Sequence, residues 1–161
     1  MKQIQLVNHK IFCLVDDEDY DILNRFSWYL IERTDGCYAY MKIGGNTVYM
    51  HQFVLPSNDP KLTPDHKNGN GLDNQKINLR LATPSQQGAN RGKQSNGKSS
   101  QHKGVCWDKA NNKWVAHIKV DKKLIHLGRF KSEKRAAAVY NEAATKYFGE
   151  FAKLNTIEVI Q

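Results

Sequence analysis

The sequence predicts an α+β chain built from two small modules. Short runs of alternating apolar and polar residues, bounded by Gly, Asn and Asp, recur along the chain and are typical of strands in small antiparallel sheets. Apolar residues at helical spacing follow Ser132 and continue to Gly149. Residues 92–101 contain no hydrophobe, so we interpret them as a flexible, basic linker between the modules.

The formal charge of +8 is unevenly distributed. Residues 1–60 carry five Lys and Arg against eight Asp and Glu, whereas residues 61–161 carry nineteen against eight. This distribution favours a polyanion as the partner of the later part of the chain. We expect no membrane span and no signal sequence, and three scattered cysteines that fit no disulfide or zinc pattern indicate a cytoplasmic protein.

The first sixty residues are expected to form a β-rich lead-in. Residues 4–7 and 10–15 predict two strands, and residues 28–31, 38–43 and 47–50 predict a three-stranded meander. The acidic run 16–19 precedes an apolar i, i+3, i+4 pattern, which favours a helix start over a second metal site. The lead-in should supply the core that a small hairpin cannot build alone.

The most informative stretch is residues 65–80, in which an Asp-His pair precedes a loop rich in Asn and Gly. The alternating residues 77–81 follow, and the pattern predicts a hairpin whose arms meet near Asp65 and His66. A carboxylate oxygen suits Mg²⁺, a neutral imidazole can accept a proton from water, and the Asn78 amide could fix the loop. An ordinary surface hairpin is the alternative interpretation.

This stretch resembles the core motif of HNH endonucleases of the phage and homing type. The matching positions are Asp65, His66, Asn68, Gly69, Asn70, Asp73, Asn74, Asn78, Leu79 and Arg80. The resemblance implies a ββα-metal fold in which His66 activates water, Asp65 binds a divalent metal and Asn78 braces the loop. It places a second metal ligand on the following helix at Gln87, where the family usually has Asn, with Asn90 as the substitute.

Residues 83–85, Thr-Pro-Ser, predict the start of that helix. Arg80 and Arg91 flank the expected site, and each is interpreted either as a phosphate ligand or as a solvated charge. The same family often has a histidine at the place of His51. This residue is therefore either a neighbour of the metal or a structural histidine.

The second module should contain three antiparallel strands and one helix. Residues 102–107, 113–120 and 124–130 predict the strands, and Ser132 predicts the cap of a helix that ends at Gly149. The module resembles the AP2 DNA-binding domain, whose sheet reads the major groove. The resemblance implies DNA contacts from six side chains, with a merely solvated basic face as the alternative. They are Lys103, Lys113, His117, Lys119, His126 and Arg129.

We therefore predict an HNH nuclease domain at 1–91, a linker at 92–101, an AP2-like domain at 102–155 and a tail at 156–161. The predicted function is metal-dependent hydrolysis of duplex DNA, with nicking as the elementary event and Mg²⁺, or else Mn²⁺, as cofactor. A monomer encoded by a phage is favoured. The alternative is a DNA-binding regulator with a degenerate HNH site. Gln87 supports this alternative, because the family usually has Asn at that position.

Overall fold

A computed structural model describes residues 1–93 and 99–157, which combine small antiparallel sheets with short helices. The α+β prediction is confirmed at this level. The chain divides into two compact units, Met1–Pro84 and Ser85–Gln161, so the division falls earlier than the predicted end of the first domain at residue 91. Linker positions 94–98 and tail positions 158–161 lie outside the described residues, and the predicted domain boundaries stay a prediction.

The first unit contains three small antiparallel sheets. The strands are β1 (Lys2–Gln5), β2 (Phe12–Val15), β3 (Tyr29–Arg33), β4 (Gly36–Ile43), β5 (Asn46–Tyr49), β6 (Thr63–His66) and β7 (Leu79–Ala82). β1 pairs with β2, β3 to β5 form the expected meander, and β6 pairs with β7. Two short helices, α1 (Asp17–Leu23) and α2 (Met50–Val54), complete the unit.

The core of this unit lies in the lead-in. Its buried members come from both helices, the first strand pair, the meander and the residues next to them: Ile4, Leu6, Cys13, Val15, Leu23, Trp28, Leu30, Ala39, Met41 and Met50. Trp28 Nε1 donates a hydrogen bond to the Leu23 carbonyl oxygen at 2.8 Å, which provides the buried indole with a partner. Burial raises the pKa of Cys13 to about 12, so this thiol is a packing group.

The acidic run behaves as a helix start and also anchors another segment. Asp17 to Asp19 occupy the first turn of α1, as predicted. The Lys76 ammonium lies 2.6 Å from the Glu18 carboxylate and 3.0 Å from that of Asp19. Asp16 Oδ2 accepts a hydrogen bond from the Lys76 backbone N–H at 2.7 Å. The start of α1 therefore holds the segment that leads into β7.

The structure departs from the sequence analysis at residues 76–81 and at α2. Residues 77–81 do not form one strand, because a 3₁₀ turn (Lys76–Asn78) precedes β7 and leaves the Ile77 side chain 80% exposed. The helix α2 was not predicted. Met50 and Phe53 of this helix are three residues apart and pack on the core. A five-residue segment is too short to show a helical periodicity, so the sequence did not predict this contact.

The described residues of the second unit form one sheet and two α-helices. The elements are α3 (Pro84–Asn90), which begins at the division, β8 (Val105–Asp108), β9 (Lys113–Val120), β10 (Lys123–Phe130), α4 (Glu133–Phe148) and a 3₁₀ turn (Gly149–Phe151). The sheet is antiparallel with β9 in the centre. Ser132 Oγ accepts a hydrogen bond from the Arg135 backbone N–H, and Gly149 ends α4 with φ +53°, as predicted.

The helix α4 packs its small side chains on one face of this sheet. Ala136 and Ala137 contact Val105 and Ala116, and these residues form a buried cluster. The predicted alternation along β9 is confirmed, because Ala116 and Ile118 are buried while Lys113 and Lys119 are exposed. Within the part of the chain that the structure describes, no helix combines the length and apolarity needed to cross a bilayer.

Candidate active site

The β6–β7 hairpin places the predicted catalytic pair at the end of a strand. In the antiparallel register, Asp65 lies opposite Arg80 and His66 lies opposite Leu79. His66 is the last residue of β6 and is buried, whereas Asp65 is partly exposed. Residues 67–75 then form the loop that the Asn-Gly pairs predicted, and Gly69 has φ +78°.

Strand β2 of the lead-in holds this loop. Leu14 forms a parallel bridge with Asp73, outside the regular sheets. The Leu14 backbone N–H donates to the Leu72 carbonyl at 2.9 Å, and the Asn74 N–H donates to the Leu14 carbonyl at 2.8 Å. Gly71 lies against β4, where a Cβ atom would be 2.3 Å from the Cys37 carbonyl oxygen, so the close approach requires glycine.

The loop is also braced from within by its Asn and Asp side chains. Asn68 Oδ1 accepts from the Asn70 N–H at 2.7 Å, and Asn70 Oδ1 accepts from the Leu72 N–H at 3.1 Å. Asn68 Nδ2 donates to Asp73 Oδ2 at 2.8 Å. Such Asx turns fix a loop that has no sheet partner along most of its length.

Asn78, for which the resemblance implies a bracing role, hydrogen-bonds to both ends of the loop. Its buried side chain accepts a hydrogen bond from the Asn68 N–H at 3.1 Å and donates one to the Asp73 carbonyl at 2.8 Å. Its own carbonyl accepts from the Lys67 N–H at 2.8 Å. One amide thus ties the two ends of the loop together, next to His66.

The His66 imidazole is buried and oriented by Asn74. Nε2 lies 3.3 Å from Asn74 Oδ1, a contact that orients the ring. Burial lowers the pKa of His66, although the Asn74 contact, Asp65 and Asp73 act in the opposite direction. The ring is therefore neutral near pH 7, the state that a general base requires.

Asn74 was part of the matched motif, but the sequence analysis gave it no role. It is fully buried, and it follows His66 by eight residues across the loop. The bridge between β2 and the loop and the hydrogen bonds within the loop place Asn74 beside His66, so the sequence spacing alone could not reveal the contact.

Asp65 forms an ion pair with Arg80 across the hairpin. Asp65 Oδ2 lies 3.2 Å from Arg80 Nε, and the two side chains are 12% and 10% exposed. The cross-strand register predicts such a contact, because residues directly opposite each other share a face. Arg80, which the sequence offered as a phosphate ligand or a solvated charge, thus has a carboxylate partner that fixes Asp65.

A group of aromatic rings packs around His66. The His51 ring meets the His66 ring edge to face at 5.0 Å between centroids, and Tyr38 lies 6.1 Å from His66. Tyr49 stacks on His51 at 5.4 Å. Within the described residues, the buried Nδ1 of His51 has no hydrogen-bond partner. Burial, followed by the electrostatic interaction with His66, lowers the pKa of His51 to about 3, so this ring is neutral near pH 7.

The predicted metal ligands of the helix belong to the other compact unit. Gln87 and Asn90 lie on α3; Gln87 is partly exposed and Asn90 is buried, while Arg91 follows the helix and is exposed. Asp65 lies in the first unit, so the ligand set of Asp65 with a helix amide stays a prediction. Among residues 1–93 and 99–157, no three His, Cys, Asp or Glu side chains form a metal-binding group.

The outer face of the β8–β10 sheet carries most of the predicted DNA contacts. His117 and His126 are opposite each other in the register of β9 and β10. Arg129 Nε lies 3.1 Å from Asp108 Oδ2, and hydrogen bonds from Asn111 and Arg129 lower the pKa of Asp108. The exposed cations of this outer face are Lys113, Lys119 and Arg129.

Lys103 is placed differently from the other predicted contacts. Its ammonium donates to the backbone carbonyls of Ala89 at 2.5 Å, Arg91 at 2.6 Å and Gly88 at 3.2 Å. Burial and the charge of Lys153 lower the pKa of Lys103 to about 8. This placement favours a structural role at the end of α3, where three carbonyls stabilise the cation.

Comparison with known proteins gives a relative for most of the chain. The chain is 31% identical to an uncharacterized HNH endonuclease of Acanthamoeba polyphaga mimivirus over 156 residues, which cover 91% of this chain and 76% of the relative. It is 59% identical over 34 residues to an ethylene-responsive transcription factor-like protein of Arabidopsis thaliana, but this match covers only 21% of the chain and 15% of that protein. No family profile and no solved structure matches.

The viral relative aligns with both compact units, and the hairpin supplies the Asp-His pair and the bracing Asn at the positions that the motif requires. The chain belongs to the HNH endonuclease family.

Proposed function

We propose that this protein is a metal-dependent endonuclease that nicks duplex DNA and is directed to its substrate by the sheet of its second unit. One observation carries the proposal. The buried, neutral His66 is held by Asn74 and is adjacent in sequence to the carboxylate of Asp65, at the mouth of a braced loop.

His66 is the proposed general base. The contact with Asn74 orients the ring, and a neutral imidazole can accept a proton from an attacking water. Because the ring is packed against His51 and Tyr38, its orientation is set before substrate arrives. Asn78 acts at a distance, by fixing the loop that follows His66.

Asp65 is the proposed protein ligand of a divalent cation. The donor set fits Mg²⁺, since this ion usually binds one or two carboxylates and completes its shell with water and substrate phosphate oxygens. Arg80 holds Oδ2, which orients the carboxylate. Gln87 or Asn90 is the proposed second ligand. When bound, the cation supplies stabilisation of the charge that develops at the scissile phosphate and the leaving 3′ oxygen.

The second unit is the proposed DNA-binding module, AP2-like in architecture. Its sheet is backed by α4 on one face, and the other face presents Lys113, Lys119 and Arg129 with two histidines. A sheet of this kind can enter the major groove. The short similarity to a transcription factor-like protein supports this assignment. Arg91 is a further proposed phosphate contact.

A single site cuts one strand, so we propose a monomer that nicks, acting inside the cell, where the three free cysteines stay reduced. A second candidate is a DNA-binding regulator with an impaired HNH site. Two observations favour it: Arg80 pairs with the Asp65 carboxylate, and Gln87 stands where the family usually has Asn.

The test is incubation of supercoiled plasmid with the protein and Mg²⁺ or Mn²⁺, beside the His66→Ala and His9→Ala variants. His9 is an exposed histidine in the lead-in, so its replacement controls for loss of an imidazole. The nuclease proposal expects metal-dependent nicking by wild type and His9→Ala, and a decrease of about 100-fold or more in His66→Ala. A gel shift without nicking at either metal supports the regulator instead.

A further inference from the structure

The strand β10 places one large apolar side chain on the outer face of the β8–β10 sheet. Leu124 lies opposite Lys119 in the register of β9 and β10, and it is 68% exposed. The next residue, Ile125, lies opposite Ile118 and packs against the core on the other face. Because adjacent side chains of a strand point to opposite faces, Leu124 belongs to the outer face together with Lys119.

Leu124 differs in chemistry from the other exposed residues of this face. On β9 and β10, which are described in full, the exposed side chains of the outer face are Lys113, Lys119, Leu124, His126 and Arg129. Leu124 is the apolar member of this set. A single exposed leucine needs no explanation on an ordinary surface. On a face that enters a groove of DNA, however, the leucine loses its water, so the group that it meets there contributes to affinity.

The backbone next to Leu124 is fixed by a tight hairpin. β9 ends at Val120 and β10 begins at Lys123, and the two turn residues between them, Asp121 and Lys122, have φ +46° and +67°. Positive φ at both positions is typical of a type I′ turn, which matches the twist of the paired strands. The hairpin therefore holds Leu124 in one position on the face, as contact with a single base pair requires.

Exposed lysines surround Leu124 at this end of the sheet. Lys119 lies opposite it, Lys123 precedes it on β10 and Lys122 lies in the turn, beside the acidic Asp121. Lysines bind the phosphates at the edges of a groove and so position a protein without reading the sequence. A two-stranded ribbon such as β9–β10 fits the major groove, which brings the outward side chain of Leu124 towards the base edges.

We propose that Leu124 contacts the C5-methyl group of one thymine in the major groove, so that the second unit prefers a T·A pair at that position. The base edges of the major groove carry hydrogen-bond donors and acceptors, and the thymine methyl is their apolar group. Against another base edge, Leu124 would remove water from polar atoms without giving them a partner, which is unfavourable. This inference rests on the proposed binding of duplex DNA by the outer face, and it adds a residue that sets sequence preference.

The first measurement is the selection of duplexes from a random-sequence pool by the full chain, with EDTA present so that no strand is cut. Wild type should enrich T at one position of the selected sites, and Leu124→Ala should lose this enrichment while it keeps the preference at other positions. The matched control is Leu154→Ala, which removes an exposed leucine of the same unit outside the sheet and should select the wild-type sites. Circular dichroism checks that both variants fold.

The second measurement removes only the methyl group from the DNA. Deoxyuridine replaces the enriched thymidine in the preferred duplex, and fluorescence anisotropy gives the affinity for both duplexes. Wild type and Leu154→Ala should bind the uracil duplex about threefold to fivefold more weakly, which is the effect of one buried methyl group. Leu124→Ala should bind the two duplexes equally, because the methyl group has lost its partner. An equal loss in wild type and Leu124→Ala would overturn the inference, since the methyl group would then meet another residue.

Failure of this inference can be distinguished from failure of the proposed function. If wild type binds no duplex, the proposed role of the second unit is wrong, and the contact of Leu124 with thymine is wrong with it. If wild type binds and nicks duplexes without any sequence preference, or if Leu124→Ala selects the wild-type sites, only this inference is overturned. Equally weakened binding of Leu124→Ala to every sequence would also overturn it, because the leucine would then contact the sugar–phosphate backbone.

Discussion

The hairpin loop and the outer face of the β8–β10 sheet use polar residues in opposite ways. In the hairpin, His66, Asn74 and Asn78 are all at most 8% exposed, and hydrogen bonds fix their positions. On the outer face, Lys113 and Lys119 are exposed on a strand whose alternate residues form the core. Chemistry at one atom needs groups that are fixed before substrate binds, whereas attraction of a polyanion needs only accessible charge.

This contrast predicts that substitutions in the hairpin reduce cutting. Substitutions that remove a buried hydrogen-bonding side chain should also reduce stability, whereas substitutions on the outer face should change only DNA binding.

The largest effect should come from Asp65→Asn, which keeps the shape of the side chain and removes its negative charge. We expect nicking to fall about 100-fold or more, because the proposed cation loses its carboxylate. Plasmid nicking rates measure this, and Asp21→Asn, at an exposed position of α1, should nick at the wild-type rate. Equal rates for Asp65→Asn and wild type would disprove the assignment.

Asn78→Ala should reduce stability and nicking together. The substitution leaves the Asn68 N–H and the Asp73 carbonyl without their partner, which costs about 2 kcal/mol of unfolding free energy. Urea unfolding followed by circular dichroism gives the difference. Asn58→Ala, in the exposed loop before β6, serves as the control and should change stability little. A loss of nicking at unchanged stability would show that Asn78 contacts substrate.

The neutral histidines make the first unit sensitive to acid. The pKa of His51 is about 3 in the folded chain and 6.5 ordinarily, so between these values the unfolded chain binds a proton that the folded chain rejects. The unfolding free energy should therefore decrease as pH falls below 6.5, by up to about 1.4 kcal/mol per pH unit. His51→Phe should flatten this dependence in urea unfolding between about pH 7 and pH 4.5. His9→Gln should retain it, and equal slopes for both variants would contradict the prediction.

The smallest effect is expected on the outer face of the sheet. Lys113→Gln with Lys119→Gln should weaken binding to duplex DNA about threefold to tenfold and lower its salt dependence, while unfolding free energy changes by less than about 0.5 kcal/mol. Fluorescence anisotropy and urea unfolding measure the two quantities. A large decrease in stability would show that these lysines belong to a structural network, and the contrast with the hairpin would not hold.

Features that depend on neighbours in sequence were predictable. The alternation along β9, the Ser132 cap and the end of α4 at Gly149 follow from local periodicity and backbone geometry, and the structure agrees. The Asp-His pair and Asn78 could be located for the same reason, because one hairpin contains all three.

Features that depend on distant segments were not predictable. The contact between His66 and Asn74 exists because β2 holds the loop, and the ion pairs of Lys76 with the start of α1 join residues 57 and 58 positions apart. Lys103 looked like a surface cation in the sequence, yet the carbonyls at the end of α3 surround its ammonium. Periodicity indicates which face of a strand is buried, but it does not indicate which residues of a distant element contact that strand.

The bridge between Leu14 and Asp73 limits how far the hairpin can be treated as a transferable part. A fragment that begins at β6 would retain Asp65, His66 and Asn78 but lose the strand on which the intervening residues rest. Grafting the motif into another scaffold therefore requires a surrogate for β2. Shortening the chain from its amino end should impair cutting well before it removes any residue of the motif.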